Sequence, residues 1–278
     1  RCMEEDIPII LCSQAGYYAS EILPESPSRR ERLRAHIRAW DAMGEEGRLD
    51  VARALIWAKI TACAECYAAL DSGGSLGRDA GSALSAVQAA EHYTALLGAE
   101  GRFAKTCFPL VNAGLPEPFL SEARLPGQKA DRWNCLLDGI SSLMFNHLCM
   151  TLRAEGLDPF LGFLHRQYMR YETLAADLQE LFRPELDMLL RAFVLEGGAA
   201  VEDFEQKGES FRLSGELRKR LIAEFERWLS TPGPDGTARR NLIDELVRRL
   251  RRFLCQGKSL SLLVCGRWRR ASACALNG

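Results

Sequence analysis

From residue 29 onward apolar residues return at every third or fourth position over long stretches, the spacing of one helical face. The pattern predicts helices over residues 29–43 and 47–70, broken near Gly44. A further helix is expected over 83–97, with Leu84, Val87, Ala90, Thr94 and Leu97 on one side. Gly98 should interrupt it, and a new helix should start near Glu100. Residues 134–153 are apolar nearly all round, which assigns them to the centre of a bundle. A helix over 173–182 stops before Pro184, and 185–195 continues beyond it. The last strong helices are 214–230 and 239–255, parted by the turn 231–236. Two stretches lack the period: 71–82 reads as a flexible loop, and 112–130, with three prolines and two glycines, as irregular chain.

Strand signal is confined to residues 7–24, "IPIILCSQAGYYASEILP", which read as one or two strands about a turn at Gly16. Ser28 is the expected cap of the first helix. The fold class is therefore mainly α: a short β remnant and linker over 1–27, then a large helical domain over 28–278. No internal repeat is visible.

Hydrophobic residues make up 47% of the 278, enough for a substantial core and against overall disorder. The net charge of −1 hides an asymmetry: residues 238–278 carry ten Lys and Arg against two acids, leaving −9 for the remainder. A basic end on an acidic body suits an anionic partner, nucleic acid first, and equally a solvated arginine-rich helix. The ten cysteines fall mostly in apolar helical stretches, where a free thiol behaves as a small hydrophobe. No signal peptide and no apolar span of membrane length are recognised, so a cytoplasmic protein without a membrane partner is expected. The first residue is Arg1, and an upstream segment is expected.

Four side chains stand out chemically. Asp177 and Glu180 lie three apart on one helix and so share a side, and His165 precedes them on a loop. Arg183, one turn beyond Glu180, neutralises such a pair as well as a metal ion does. Carboxylate oxygens with one imidazole suit Mg²⁺ or Mn²⁺. Glu100 is the best further acid, and it is equally explained as a helix-dipole partner. Other patterns read as structural. "CAEC" at 63–66 sits mid-helix with no second half of a zinc site. "QGKS" at 256–259 lacks the first glycine of a phosphate loop. His147 and Trp228 have core spacing, Trp268 could stack on a base, and His36 and His92 have surface-helix neighbours.

The runs "LLGAEGRFAKTCF", "DRWNCLL", "EGLDPFLGFLH", "LAADLQELFRPELD" and "DFEQKGESFRLSGELRKRLIAEFERWL" occur in the order and spacing of one family. Together they resemble the CRISPR-associated spacer-acquisition integrase family (Cas one), N-terminally truncated, over roughly residues 49–229. The resemblance implies a metal site and catalytic centre of Glu100, His165 and Glu180, with Asp177 beside them, binding Mg²⁺ or Mn²⁺. It implies a metal-dependent endonuclease and integrase reaction in antiviral defence: the 3′-hydroxyl of a short duplex attacks a phosphodiester at a CRISPR repeat boundary. Implied partners are double-stranded DNA (prespacer and repeat), the small ferredoxin-like CRISPR adaptation protein and, with the N-terminal β domain, a second copy of the chain. Expected phosphate contacts are Arg53 and Lys59, and Arg239, Arg240, Arg248, Arg249, Arg251 and Arg252. Within that last helix Leu242, Leu246, Leu250 and Phe253 should face the core.

The chain departs from the family pattern in three places. Cys107 stands where the family has a tyrosine, the arginine-rich loop shrinks to "EARLPGQKADRWN", and Asp138–Gly139–Ile140–Ser141 replaces a Ser-aromatic-Gly-Tyr stretch. Two other readings stay open: a DNA-binding subunit with weakened catalysis, and a helical protein-interaction module without a DNA role.

Overall fold

The computed structural model of the chain describes residues 1–5, 7–12, 18–24, 26–165, 171–233 and 236–258. In chain order the elements are β1 (Ile9–Cys12), β2 (Tyr18–Ile22), α1 (Pro27–Ala42), α2 (Gly44–Tyr67), α3 (Leu76–Gln88), α4 (Tyr93–Asn112), α5 (Arg132–Ala154), α6 (Thr173–Gln179), α7 (Arg183–Leu195), β3 (Phe204–Lys207), β4 (Ser210–Leu213), α8 (Gly215–Ser230) and α9 (Arg239–Gln256). The turn at Gly16 and residues 260–278, Trp268 among them, lie outside the described residues.

The described chain forms two compact units, one of Arg1–Ala58, Met144–Leu181 and Pro232–Gly278, the other of Lys59–Leu143 and Phe182–Thr231. The β1–β2 hairpin clusters with α1 in the first unit, and the helices are divided between both. Helices α2 and α5 each supply one part to each unit, which a linear reading of domains does not anticipate.

In the first unit β1 and β2 pair antiparallel with Ile9 opposite Ile22. Helix α1 starts two residues earlier than expected, because Ser26 rather than Ser28 accepts the first-turn amide of Arg29 and Pro27 occupies the first helical position. Helix α1 packs on α9. The buried stripe of α9 is Leu242, Ile243, Leu246, Val247, Leu250 and Leu254, each worth about 1.5–3 kcal/mol of burial. Phe253, expected in that stripe, is only half-buried, and Leu254 takes its place. Gly257 ends α9 in the left-handed region at φ 61°, so the glycine of "QGKS" caps a helix. His36 corrects a second expectation. It is fully buried, and its Nδ1 accepts the Asp158 amide at 3.1 Å. Arg29 donates to the carbonyls of Arg153 and Ala154, closing the C-terminal turn of α5.

In the second unit α3 packs along α4. The expected loop 71–82 is helical from Leu76, whose amide donates to the Asp71 carboxylate at 2.7 Å. Helix α4 runs unbroken through Gly98, since one helical glycine costs only about 1 kcal/mol. Glu100 therefore sits within the helix and not at its start, which removes the dipole explanation for it. Residues 112–130 are irregular yet pinned. Asn134 donates to Ser121 Oγ and the Ala123 carbonyl and accepts from Arg124 and Leu125. Asp131 Oδ1 takes the Asn134 amide at 2.7 Å, so the Asp-x-x-Asn motif is a helix cap that also clamps the preceding loop. A second hairpin, β3–β4, pairs Phe204 with Leu213, against the expectation of a single strand signal. Its strands are four residues each, too short for alternation to register.

Helix α5 is long and apolar enough by composition to cross a membrane, contrary to the sequence reading. Trp133, Leu136, Ile140, Met144, Leu148 and Leu152 are nonetheless buried within the fold, as a core helix requires.

Candidate functional site

In the first unit the described residues 156–165, after α5, are tied closely to α6. Gly156, at φ 76°, ends α5. Asp158 accepts the Phe160 amide at 3.0 Å, and Thr173 Oγ1 donates to the Phe160 carbonyl at 2.6 Å. Gly162 approaches α6 so closely that a Cβ there would lie 2.8 Å from the Thr173 main chain. Its amide donates to Thr173 Oγ1 at 3.0 Å, and its carbonyl accepts the Trp40 indole N–H at 3.0 Å. Gly162 and Thr173 are adjuncts of the site that periodicity does not reveal. The "GFLH" run carries the signal, because only a residue without Cβ fits that contact.

Asp177 completes the turn. It is fully buried, and its Oδ2 accepts the amides of Phe163 and Leu164 at 2.5 and 2.9 Å. Oδ1 accepts the His165 amide at 2.9 Å and faces His165 Nδ1 at 2.7 Å. With Nδ1 donating to Asp177 Oδ1, the imidazole lone pair sits on Nε2. The oxygens of Asp177, an expected metal ligand, serve four donors in the structure. Glu180, on the same side one turn later, is buried and caps α6. Burial first, then the charges of Asp177 and Glu180, push the Tyr171 hydroxyl above its ordinary value. The Tyr171 ring stacks on Phe145 at 6.3 Å.

In the second unit the Lys59 ammonium forms an ion pair with Glu100 Oε1, both side chains largely buried. Two charges withdrawn from water are sustained only as a pair, so each fixes the other. Lys59 was expected to contact phosphate, and here it holds a carboxylate. The pair rims a cavity of about 90 Å³ lined by Cys63, Cys107, Trp133 and Asp187 among others. Asp187 accepts the Tyr67 hydroxyl at 2.8 Å, and burial pushes its carboxyl up against the opposing charge of Arg183. Arg183, a possible neutraliser of Asp177 and Glu180, also acts on Asp187.

The expected phosphate contacts are engaged with acids to different degrees. Arg53 pairs with Asp50 one turn before it. Arg248, Arg249 and Arg252 converge on Glu245, and Arg248 and Arg251 reach Glu155. Arg239 and Arg240 open the same helix. The arginine face of α9 is therefore a charge network with Glu245 of the same helix and Glu155 from beyond α5, basic in sum.

Among the described residues no group of three or more His, Cys, Asp and Glu side chains is placed to hold a metal ion. Of the four expected ligands, Glu100 belongs to the second unit and His165, Asp177 and Glu180 to the first. The donor types do suit a divalent ion. Glu100 and Glu180 offer hard oxygens, and the Asp177–His165 contact is the carboxylate–imidazole arrangement that orients histidine ligands.

The described fold is mainly helical, with His165 set against Asp177 in the first unit and the Lys59–Glu100 pair in the second. The profile of the family described as "CRISPR associated protein Cas1" matches residues 1–227. The chain belongs to that family. A "CRISPR-associated endonuclease Cas1" of Leptospira interrogans is 33% identical over 147 residues, 51% of this chain and 58% of the relative. This chain thus spans little more than half the length of that relative. Solved folds that resemble it include a "Casposase bound to integration product", with TM-score 0.77 and 20% identity over 94% of this chain and 75% of the other. A chain of a "Cas6-RT-Cas1--Cas2 complex" superposes with TM-score 0.75 and 19% identity over 92% of this chain and 29% of the other.

Proposed function

We propose that the chain is the integrase subunit of CRISPR spacer acquisition, an endonuclease-type enzyme that joins a DNA 3′-hydroxyl to a phosphodiester of the repeat. The observation that carries this reading is Asp177, a fully buried side chain whose Oδ1 meets both the amide and the ring Nδ1 of His165. The same side chain ties down the turn through three amides and orients the imidazole, the positioning that a reaction at His165 requires. Family membership supplies the substrate class, and the relative named an endonuclease and the casposase bound to integration product support it.

In this reading His165, Glu180 and Glu100 hold Mg²⁺ or Mn²⁺. When bound, such an ion supplies Lewis-acid stabilisation and lowers the pKa of an attacking hydroxyl. The residues of the chain do the rest. Asp177 keeps the His165 lone pair on Nε2. Lys59 fixes the Glu100 carboxylate. Arg239, Arg240 and the arginines of α9 neutralise duplex phosphates, a contact that orients DNA without reading sequence. A small Cas2-type partner, the CRISPR adaptation protein, and a second copy of the chain complete the assembly, in keeping with the Cas1–Cas2 complex whose chain shares this fold.

The test is strand transfer of a short duplex into a repeat-bearing target, with Mn²⁺ and the partner protein present. His165→Ala and Glu180→Ala should each lower the rate by at least about 10²-fold while leaving duplex affinity unchanged. Wild-type rates in both variants would remove the assigned site. Salt-sensitive DNA binding by a wild-type chain that transfers no strand would favour the weakened, DNA-binding subunit instead. No salt-sensitive binding at all would favour the interaction module.

A further inference from the structure

The cavity of the second unit has a feature that the integrase reading leaves unused. Cys63 on α2 lies one helical turn after Lys59, and Cys107 on α4 lies two turns after Glu100. Both are free, buried thiols, and both line the same cavity of about 90 Å³. Cys107 is also the foremost group acting on the Cys63 thiol, as expected of two side chains that adjoin in that cavity. Other cysteines are disposed differently: Cys135 and Cys255 bond to the carbonyls of Phe211 and Arg32, and Cys66 is on the same helix as Cys63.

We propose that Cys63 and Cys107 are a redox-modification site that a small peroxide converts to a disulfide, fastening α2 to α4 beside the Lys59–Glu100 pair. The thiolate of one cysteine attacks a peroxide oxygen. The O–O bond breaks, giving a sulfenic acid, and hydroxide leaves as water with the thiol proton. The second sulfur then attacks the sulfenic sulfur, the S–O bond breaks, and a second water departs. Two thiols lose two electrons and two protons, and one peroxide becomes two waters.

The cavity decides which oxidants act. The Cys107 contact and burial hold the Cys63 thiol well above its ordinary value, with Lys59 opposing them. Reaction is therefore slow, rises with pH, and favours an oxidant small enough to enter. Once formed, the bond constrains the two helices that carry Lys59 and Glu100. The inference rests on the two thiols alone and stands independently of the integrase reading.

The experiment is non-reducing peptide mapping of the native full chain after hydrogen peroxide treatment. Oxidation of the exposed Cys2 serves as proof that the oxidant acted. The expected result is a Cys63–Cys107 linked peptide that dithiothreitol abolishes. The link should persist in Cys66→Ser and vanish in Cys107→Ser. Oxidised wild type should melt several degrees higher than reduced wild type. Because the map is made on the unaltered chain, it does not depend on a variant folding. Native chain with Cys2 oxidised and positions 63 and 107 unlinked, whether still thiols or oxidised separately, overturns the proposal. A link from Cys63 to Cys66 in its place does the same.

Discussion

Asp177 and Glu245 are both single carboxylates that gather several donors, and they behave oppositely. Asp177 is 0% exposed and serves three main-chain amides and an imidazole. Glu245 is 32% exposed and serves three guanidinium groups, Arg248, Arg249 and Arg252. Water competes for every bond of the second and reaches only the His165 end of the first. A buried acid with main-chain partners therefore dictates local structure. A solvated acid among flexible arginines adjusts charge and little else.

Substitution sharpens that contrast. Asp177→Ala strands three amide donors in the interior, and loss of about 3–5 kcal/mol is expected in urea unfolding. Activity should fall further than stability accounts for, since His165 also loses the group that sets its tautomer. A loss under about 1 kcal/mol would show that water replaces the carboxylate and that the site is not dry.

Next in size is a pH effect in the same unit. Burial lowers the His36 pKa from 6.5 to about 4, against the raising influence of Asp158. The unfolded chain binds this proton more tightly than the folded one. Stability is therefore intact above about pH 6.5 and lost as pH falls towards 4, by up to roughly 3 kcal/mol. Unfolding free energies between those limits should slope accordingly for wild type and flatten in His36→Gln. An unchanged slope in that variant would assign the pH dependence to other groups.

The smallest effect belongs to the exposed partner of the comparison. Glu245→Gln should change stability by less than about 1 kcal/mol. It should release the α9 arginines and raise affinity for duplex DNA at low salt, with a steeper salt dependence in a filter-binding titration. Unaltered affinity would mean that this face does not meet phosphate.

Several elements were legible because their stabilising partners are the bundle in general. Helices α1, α2, α5, α7, α8 and α9 follow from the apolar period, with α5 correctly assigned to the core. The misses have separate causes. Glycine at 98 does not break α4 because tertiary packing outweighs its propensity cost. The four-residue strands of β3 and β4 are too short for the period of two. His36 is on a helix with polar neighbours, and nothing local discloses that the Asp158 amide covers it.

The sequence by itself determined the helical class, the family and the small set of acids and imidazole around which chemistry is proposed, since these reside in residue types and local spacing. Tertiary structure decided what each does. Asp177 meets amides twelve to fourteen residues earlier, Lys59 meets Glu100 across 41, and Arg29 meets Arg153 across 124. Such partners are chosen by which groups burial leaves without water, a property of the folded whole.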